Sequence, residues 1–131
     1  MSKDQPEAFI ITHGNLAFAL LDAAEKIVGK QQHVYIYSNK EDSLPVLIEK
    51  ISKRLEKVKS KHNIFFIDLM GGSCWNLANM IRKKYSSVTI ITGVNLPMLM
   101  SYFLNCQEMP FINLVKKVIN DGSRGIYSVT E

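Results

Sequence analysis

The sequence predicts an open, doubly wound α/β domain, with a mostly parallel sheet of strand order 2-1-3-4 and helices on both faces. Three observations lead there. Four short apolar runs of strand composition alternate with stretches of helical periodicity. The third run, residues 64–67 (Ile-Phe-Phe-Ile), is apolar without interruption, as in a central parallel strand covered on both faces. The intervening helical stretches are long enough for right-handed crossovers between parallel strands. With 131 residues the chain fits one domain, residues 1–131, and is too short for two independent cores.

Each element has its own signal. Residues 8–12 carry Phe9, Ile10 and Ile11 and end at His13-Gly14, which suits a short buried strand. Leu16, Leu20, Ala23, Ala24, Ile27 and Val28 then recur at helical spacing, and Gly29 is the stop signal. A β-rich run at 33–37 gives way to a loop at 39–43. A helix follows with Val46, Leu47, Ile48, Ile51, Leu55 and Val58 on one face. After strand three, Asp68 stands at its end and Gly71-Gly72-Ser73 opens a helix over 74–85, with Ser73 as the expected N-cap. Strand four covers 88–92. Gly93 to Pro97 turns the chain into a helix near 98–104, and Pro110 begins a last helix over 111–120. A short β-like tail, residues 125–129, closes the chain and pairs either with its own sheet or, exchanged between subunits, with that of a second copy.

Composition narrows the function classes. The chain is 47% apolar and 21% charged, which excludes a disordered or fibrous protein. Its net charge of +4 is mild, and Lys50, Lys53, Arg54, Lys57, Lys59 and Lys61 sit mainly on one helix without aromatic residues between them, so no nucleic-acid partner is expected. Residues 1–7 lack the basic start and apolar centre of a signal peptide, and no apolar segment approaches the roughly 20 residues that cross a bilayer. A cytoplasmic protein is expected. Cys74 and Cys106 form no Cys-x-x-Cys pair, so neither a metal site nor redox chemistry is indicated, and both read as free thiols. No cofactor loop of the GxxxxGK[ST] or GxGxxG type is present. His33 and His62 fall at strand entrances, on the opposite edge from His13, and read as surface residues. The methionines at 70, 80, 98 and 100 read as core, and Trp75 as either core or contact surface.

The chemistry concentrates on one rim. In an open doubly wound sheet, ligands bind at the carboxyl ends of the strands, where the winding reverses. His13 follows strand one and Asp68 follows strand three. If these strands are neighbours, a carboxylate faces an imidazole, fixes its tautomer and leaves the other ring nitrogen nucleophilic. Gly71 and Gly72 allow close backbone approach, and the helix starting near Ser73 offers free N–H groups to an anion. A receiver domain with Asp68 as phosphoacceptor fits less well, because Thr12-His13-Gly14 stands where an acidic magnesium-binding pair is needed.

Three segments carry a resemblance: apolar residues followed by T-H-G at 10–14, F-F-I-D-L-M-G-G-S-x-x-N at 65–76, and T-G-V-N-L-P-M at 92–98. In order and spacing they resemble the IIA components (EIIA) of the mannose, fructose and sorbose branch of the bacterial sugar phosphotransferase system. The resemblance extends over nearly the whole chain. It implies a phosphoryl carrier in sugar uptake: His13 as the phosphoacceptor, Asp68 orienting it, and Ser73, with Gly71 and Gly72, stabilising the phosphoryl group. It implies HPr as donor, a IIB component as acceptor, contact with the membrane only through IIC and IID components, and a homodimer that exchanges the 125–129 strand. The sugar would be recognised by those membrane components and not by this chain. Two departures bear on partner choice: many relatives have proline after G-G-S where this chain has Cys74-Trp75, and Asn15 follows T-H-G where some have an aromatic residue. The rival readings are the phosphotransfer subunit of a dihydroxyacetone kinase, and a non-catalytic sensory or anion-binding domain of the same fold.

Overall fold

The computed structural model describes residues 5–130; residues 1–4 of the polar N-terminal stretch, and residue 131, lie outside the described residues. The elements follow in the order β1 (Glu7–Thr12), α1 (Leu16–Val28), β2 (Val34–Ser38), α2 (Leu44–Val58), β3 (Asn63–Ile67), α3 (Ser73–Arg82), β4 (Val88–Thr92), α4 (Leu96–Asn105) and α5 (Phe111–Arg124). All four strands are parallel, and the sheet order is β2-β1-β3-β4, as expected from the sequence.

Period-two alternation along the two central strands divides the core into two layers. Ala8, Ile10, Ile64 and Phe66 point to one face, where Ala17 and Ala24 of α1, Leu99 and Tyr102 of α4, and Leu114 and Val118 of α5 cover them. Phe9, Ile11, Phe65 and Ile67 point to the other, under Leu47, Ile51 and Leu55 of α2 and Leu77, Ala78 and Ile81 of α3. Every one of these strand residues is fully buried, and each Ile or Phe among them contributes about 1.5–3 kcal/mol by its withdrawal from water.

The order of connection creates the crevice that matters. From β1 the chain moves outward to β2, then returns past β1 to β3 and continues to β4, so winding reverses between β1 and β3. Pairing of Ile11 with Ile67 brings the carboxyl ends of these two strands level. Whatever follows Thr12 and Ile67 must meet across the gap.

Three elements differ from the sequence expectation. Helix α5 continues to Arg124, beyond the 111–120 predicted, because Asp121 accepts a hydrogen bond from Ser101 Oγ (2.7 Å) and Gly122 lies against Met98 of α4. The Asp-Gly pair reads locally as a stop, yet packing on α4 carries the helix through it. Helix α3 ends at Arg82 rather than 85. Residues 126–130 adopt no regular structure and pair with no strand of their own sheet; Ile126, Tyr127 and Val129 are 82–84% exposed. Among the methionines, Met98 is buried as expected, whereas Met70 and Met80 are exposed, which corrects their assignment to the core. Trp75 is partly buried against the α2–α3 layer. Among the described residues, no helix is long and apolar enough to cross a membrane.

Candidate functional site

Asp68 organises the rim. Its Oδ2 accepts a hydrogen bond from the main-chain N–H of His13 (2.8 Å) and lies 2.7 Å from Nδ1 of the His13 ring, while Oδ1 accepts from the Leu69 N–H (2.9 Å). Burial raises the Asp68 pKa, but the hydrogen bonds and charge of His13 outweigh it, and the carboxyl is held below its ordinary value. The group is therefore ionised at neutral pH and can only accept. Nδ1 must then carry the proton, which leaves Nε2 with a free lone pair.

Nε2 has its own partner. Ser73 Oγ lies 3.2 Å away, and the hydroxyl donates to it. The same oxygen accepts from Asn39 Nδ2 at 3.3 Å, while Asn39 Oδ1 accepts from the Gly14 N–H at 3.4 Å. A continuous relay thus runs from Asn39 through Ser73 and the imidazole to Asp68. The His13 side chain remains 42% exposed, against 7% for Asp68. The ring is anchored at both nitrogens and still remains part-exposed.

Local structure explains how each group arrives. Thr12, fully buried, accepts from the Ala17 N–H at 2.7 Å, so it caps α1 in place of Asn15, whose side chain makes no capping bond. Ser38 Oγ donates to the Gly14 carbonyl and ties the end of β2 to the same loop. Gly71 has φ +91°, a left-handed conformation that L side chains rarely adopt. Gly72 has an ordinary φ but is confined by space: a Cβ there would lie 3.3 Å from His13 Cε1. The two glycines are needed for different reasons. Gly72, not Ser73, is the N-cap of α3; Ser73 is the first helical residue and turns its hydroxyl toward His13 instead of capping its own helix.

The predicted residues His13, Asp68, Gly72 and Ser73 therefore converge, and Gly71 shapes the turn that brings them together. Asn39 was not singled out in the sequence, although it follows β2 on the same rim, so the strand-end rule applied to His13 and Asp68 would have reached it. Cys74 was also missed: its sulfur lies 3.8 Å from Nδ1, and burial followed by the charge of Asp68 pushes its thiol up to about 11. His33 and His62 lie on the opposite edge, as expected, where His33 Nδ1 meets Glu7 Oε2 at 3.0 Å and His62 stacks on Phe111 with ring centres 4.2 Å apart.

Comparison with known proteins bears on the whole chain. Over 118 residues it is 34% identical to the mannose-specific EIIAB component of the phosphotransferase system (PTS) from Escherichia coli strain K12, covering 88% of this chain but only 36% of that protein. Against the sorbose-specific EIIA component of Lacticaseibacillus casei, identity is 25% over 114 residues, covering 86% of this chain and 83% of the relative. The crystal structure of phosphotransferase system component EIIA from Streptococcus agalactiae superposes with a TM-score of 0.85 at 26% identity, over 94% of this chain and 96% of that one. Residues 8–119 match the family described as PTS system fructose IIA component, and they include every residue of the rim, so the chain belongs to that family of sugar phosphotransferase components.

Proposed function

We propose that this chain accepts a phosphoryl group on His13 Nε2 from phosphorylated HPr and passes it to a IIB component, acting in the cytoplasm as a phosphoryl carrier. The observation that carries this reading is the fixed tautomer. Asp68 holds the proton on Nδ1 at 2.7 Å, so Nε2 of this part-exposed ring is the nucleophile. In the transfer, Nε2 attacks phosphorus in line as the donor's N–P bond breaks. The Nδ1 proton stays on His13, where the Asp68 carboxylate offsets the positive charge of the phosphorylated ring. The phosphoryl oxygens then take the place of the lone pair as acceptors from Ser73 Oγ and from the amides that open α3, which have no partners within the helix.

The surroundings suit a protein donor. Leu16, Leu69 and Met70 are exposed apolar side chains in the segments that carry His13 and Asp68, and Lys40, bonded to Asn15 Oδ1 at 3.3 Å, adds positive charge on the same rim. Contact with the membrane would be indirect, through IIC and IID components.

The test is to incubate the chain with HPr, enzyme I and phosphoenolpyruvate and to follow acid-labile phosphate. Label on His13 is expected; an unlabelled wild type, or full label on His13→Ala, ends the proposal. Asp68→Asn should slow labelling on the order of 10²-fold, because the tautomer is no longer enforced.

The exposed tail supports a homodimer. Ile126 reaches a groove beside β4 that Ile90, Thr92, Asn95 and Ile119 also line, and β4 is an open edge of the sheet. A strand at 125–129 exchanged with a second copy would cover both. Sedimentation at micromolar concentration should give twice the chain mass, and deletion of 126–131 should return it to one.

A further inference from the structure

Cys74 stands 61 residues from His13 in sequence, yet its sulfur is 3.8 Å from the very ring nitrogen that Asp68 holds. One ligand atom from each of His13, Asp68 and Cys74 lies within 4.8 Å of the others. We propose that these three side chains form a binding site for a borderline-soft divalent cation of the zinc class, and that the bound ion silences His13 as a phosphoacceptor.

The donor set is specific. Thiolate, imidazole and carboxylate together match zinc, which binds them at about 2.3, 2.0–2.1 and 2.0–2.2 Å and accepts three protein ligands with an open fourth position. A hard cation such as magnesium has no use for the sulfur. Tetrahedral geometry with those bond lengths needs ligand atoms roughly 3.3–3.6 Å apart. Nδ1 and Oδ2, now 2.7 Å apart around a shared proton, would open slightly, and Nδ1 and Sγ, now 3.8 Å apart, would close slightly. The imidazole, 42% exposed, covers a carboxylate that is 7% exposed and a thiol that is fully buried, so a swing of this one ring admits the ion.

Proton balance makes the site inhibitory. Free, the ring carries its proton on Nδ1 and its lone pair on Nε2. An ion on Nδ1 takes the position of that proton, and the neutral ring then keeps its single proton on Nε2, where it donates to Ser73 instead of attacking phosphorus. The Cys74 thiol also loses its proton. One proton leaves the protein per ion bound, and affinity falls about tenfold for each pH unit lowered while the thiol is protonated. The metal site itself needs no phosphotransfer; only its inhibitory effect rests on the function proposed above.

Cobalt reports the site directly, because thiolate bound to Co²⁺ gives a charge-transfer band in the near ultraviolet. Titration of the purified chain with Co²⁺, and with Zn²⁺ against a chromophoric chelator, should show one ion per chain and the thiolate band. Cys74→Val, which preserves apolar volume in the core, should abolish the band and weaken zinc at least tenfold, as should Cys74→Ser, while Cys106→Ser should change neither. Absence of the band from the wild type, its survival in both Cys74 variants, or its loss in Cys106→Ser overturns the site. In the phosphorylation assay, one equivalent of zinc should suppress label on the wild type reversibly with chelator, and leave the label on Cys74→Val the same as without zinc. Unchanged labelling of the zinc-loaded wild type overturns the inhibition. A wild type that shows the cobalt band but never takes label without zinc refutes the phosphotransfer reading alone.

Discussion

At the scale of single residues, the rim is governed by margins of a few tenths of an ångström. Gly72 is the clearest case, since a methyl group there would meet His13 Cε1 at 3.3 Å, tighter than side chains ordinarily tolerate. The half-exposed ring is the part able to yield, and yielding moves Nε2 away from Ser73. Gly72→Ala is therefore expected to fold with near wild-type stability while labelling of His13 slows by about tenfold or more. Comparing the labelling rate with the urea midpoint checks both halves. His13, Asp68 and the two glycines were legible in the sequence because strand ends of a parallel sheet share one edge. Asn39 and Cys74 were not singled out: the amide, although within reach of the same strand-end rule, sat inside a stretch read only as a loop, and the cysteine was judged by its distance along the chain rather than in space.

At the scale of elements, strands were easier to read than helix ends. The unbroken apolar run of β3 can be accommodated only between two layers of helices, and all four of its residues, 64–67, are buried together with Asn63. Helix limits depend on contacts made elsewhere, as α5 shows. Asn95 is the joint between α4 and α5: its Oδ1 caps α4 by accepting from the Met98 N–H at 2.9 Å, and its Nδ2 donates to the Gly122 carbonyl at 3.1 Å. Asn95→Ala removes both bonds and should cost about 1–2 kcal/mol, read as a lower urea midpoint with an unchanged m value. The His13 rim lies on the same carboxyl edge of the sheet, but neither of these bonds reaches it, so His13 labelling in native buffer should stay near that of the wild type.

At the scale of the whole molecule, the depressed pKa of Asp68 links stability to pH. A carboxyl whose pKa is lower folded than unfolded stabilises the fold above its unfolded value, near 4, and that contribution disappears as pH falls through the folded value. The wild type should be more stable than Asp68→Asn at pH 6–7, and the difference should shrink as the pH is lowered past about 4; urea titrations at a series of pH values measure it. The sheet order and the two-layer core were both foreseeable from the chain, because crossover handedness and strand composition leave few alternatives. The fate of the tail was not, since residues 126–130 pair with no strand within one chain. That leaves β4, Val-Thr-Ile-Ile-Thr without a single charge, as a sheet margin that no described strand covers. If the tail-exchanged dimer proposed above forms, this margin stays bare in a single copy until the second one arrives. Refolding yield of such a dimer should then depend on whether correct pairing outruns indiscriminate clumping, two processes that both quicken with concentration.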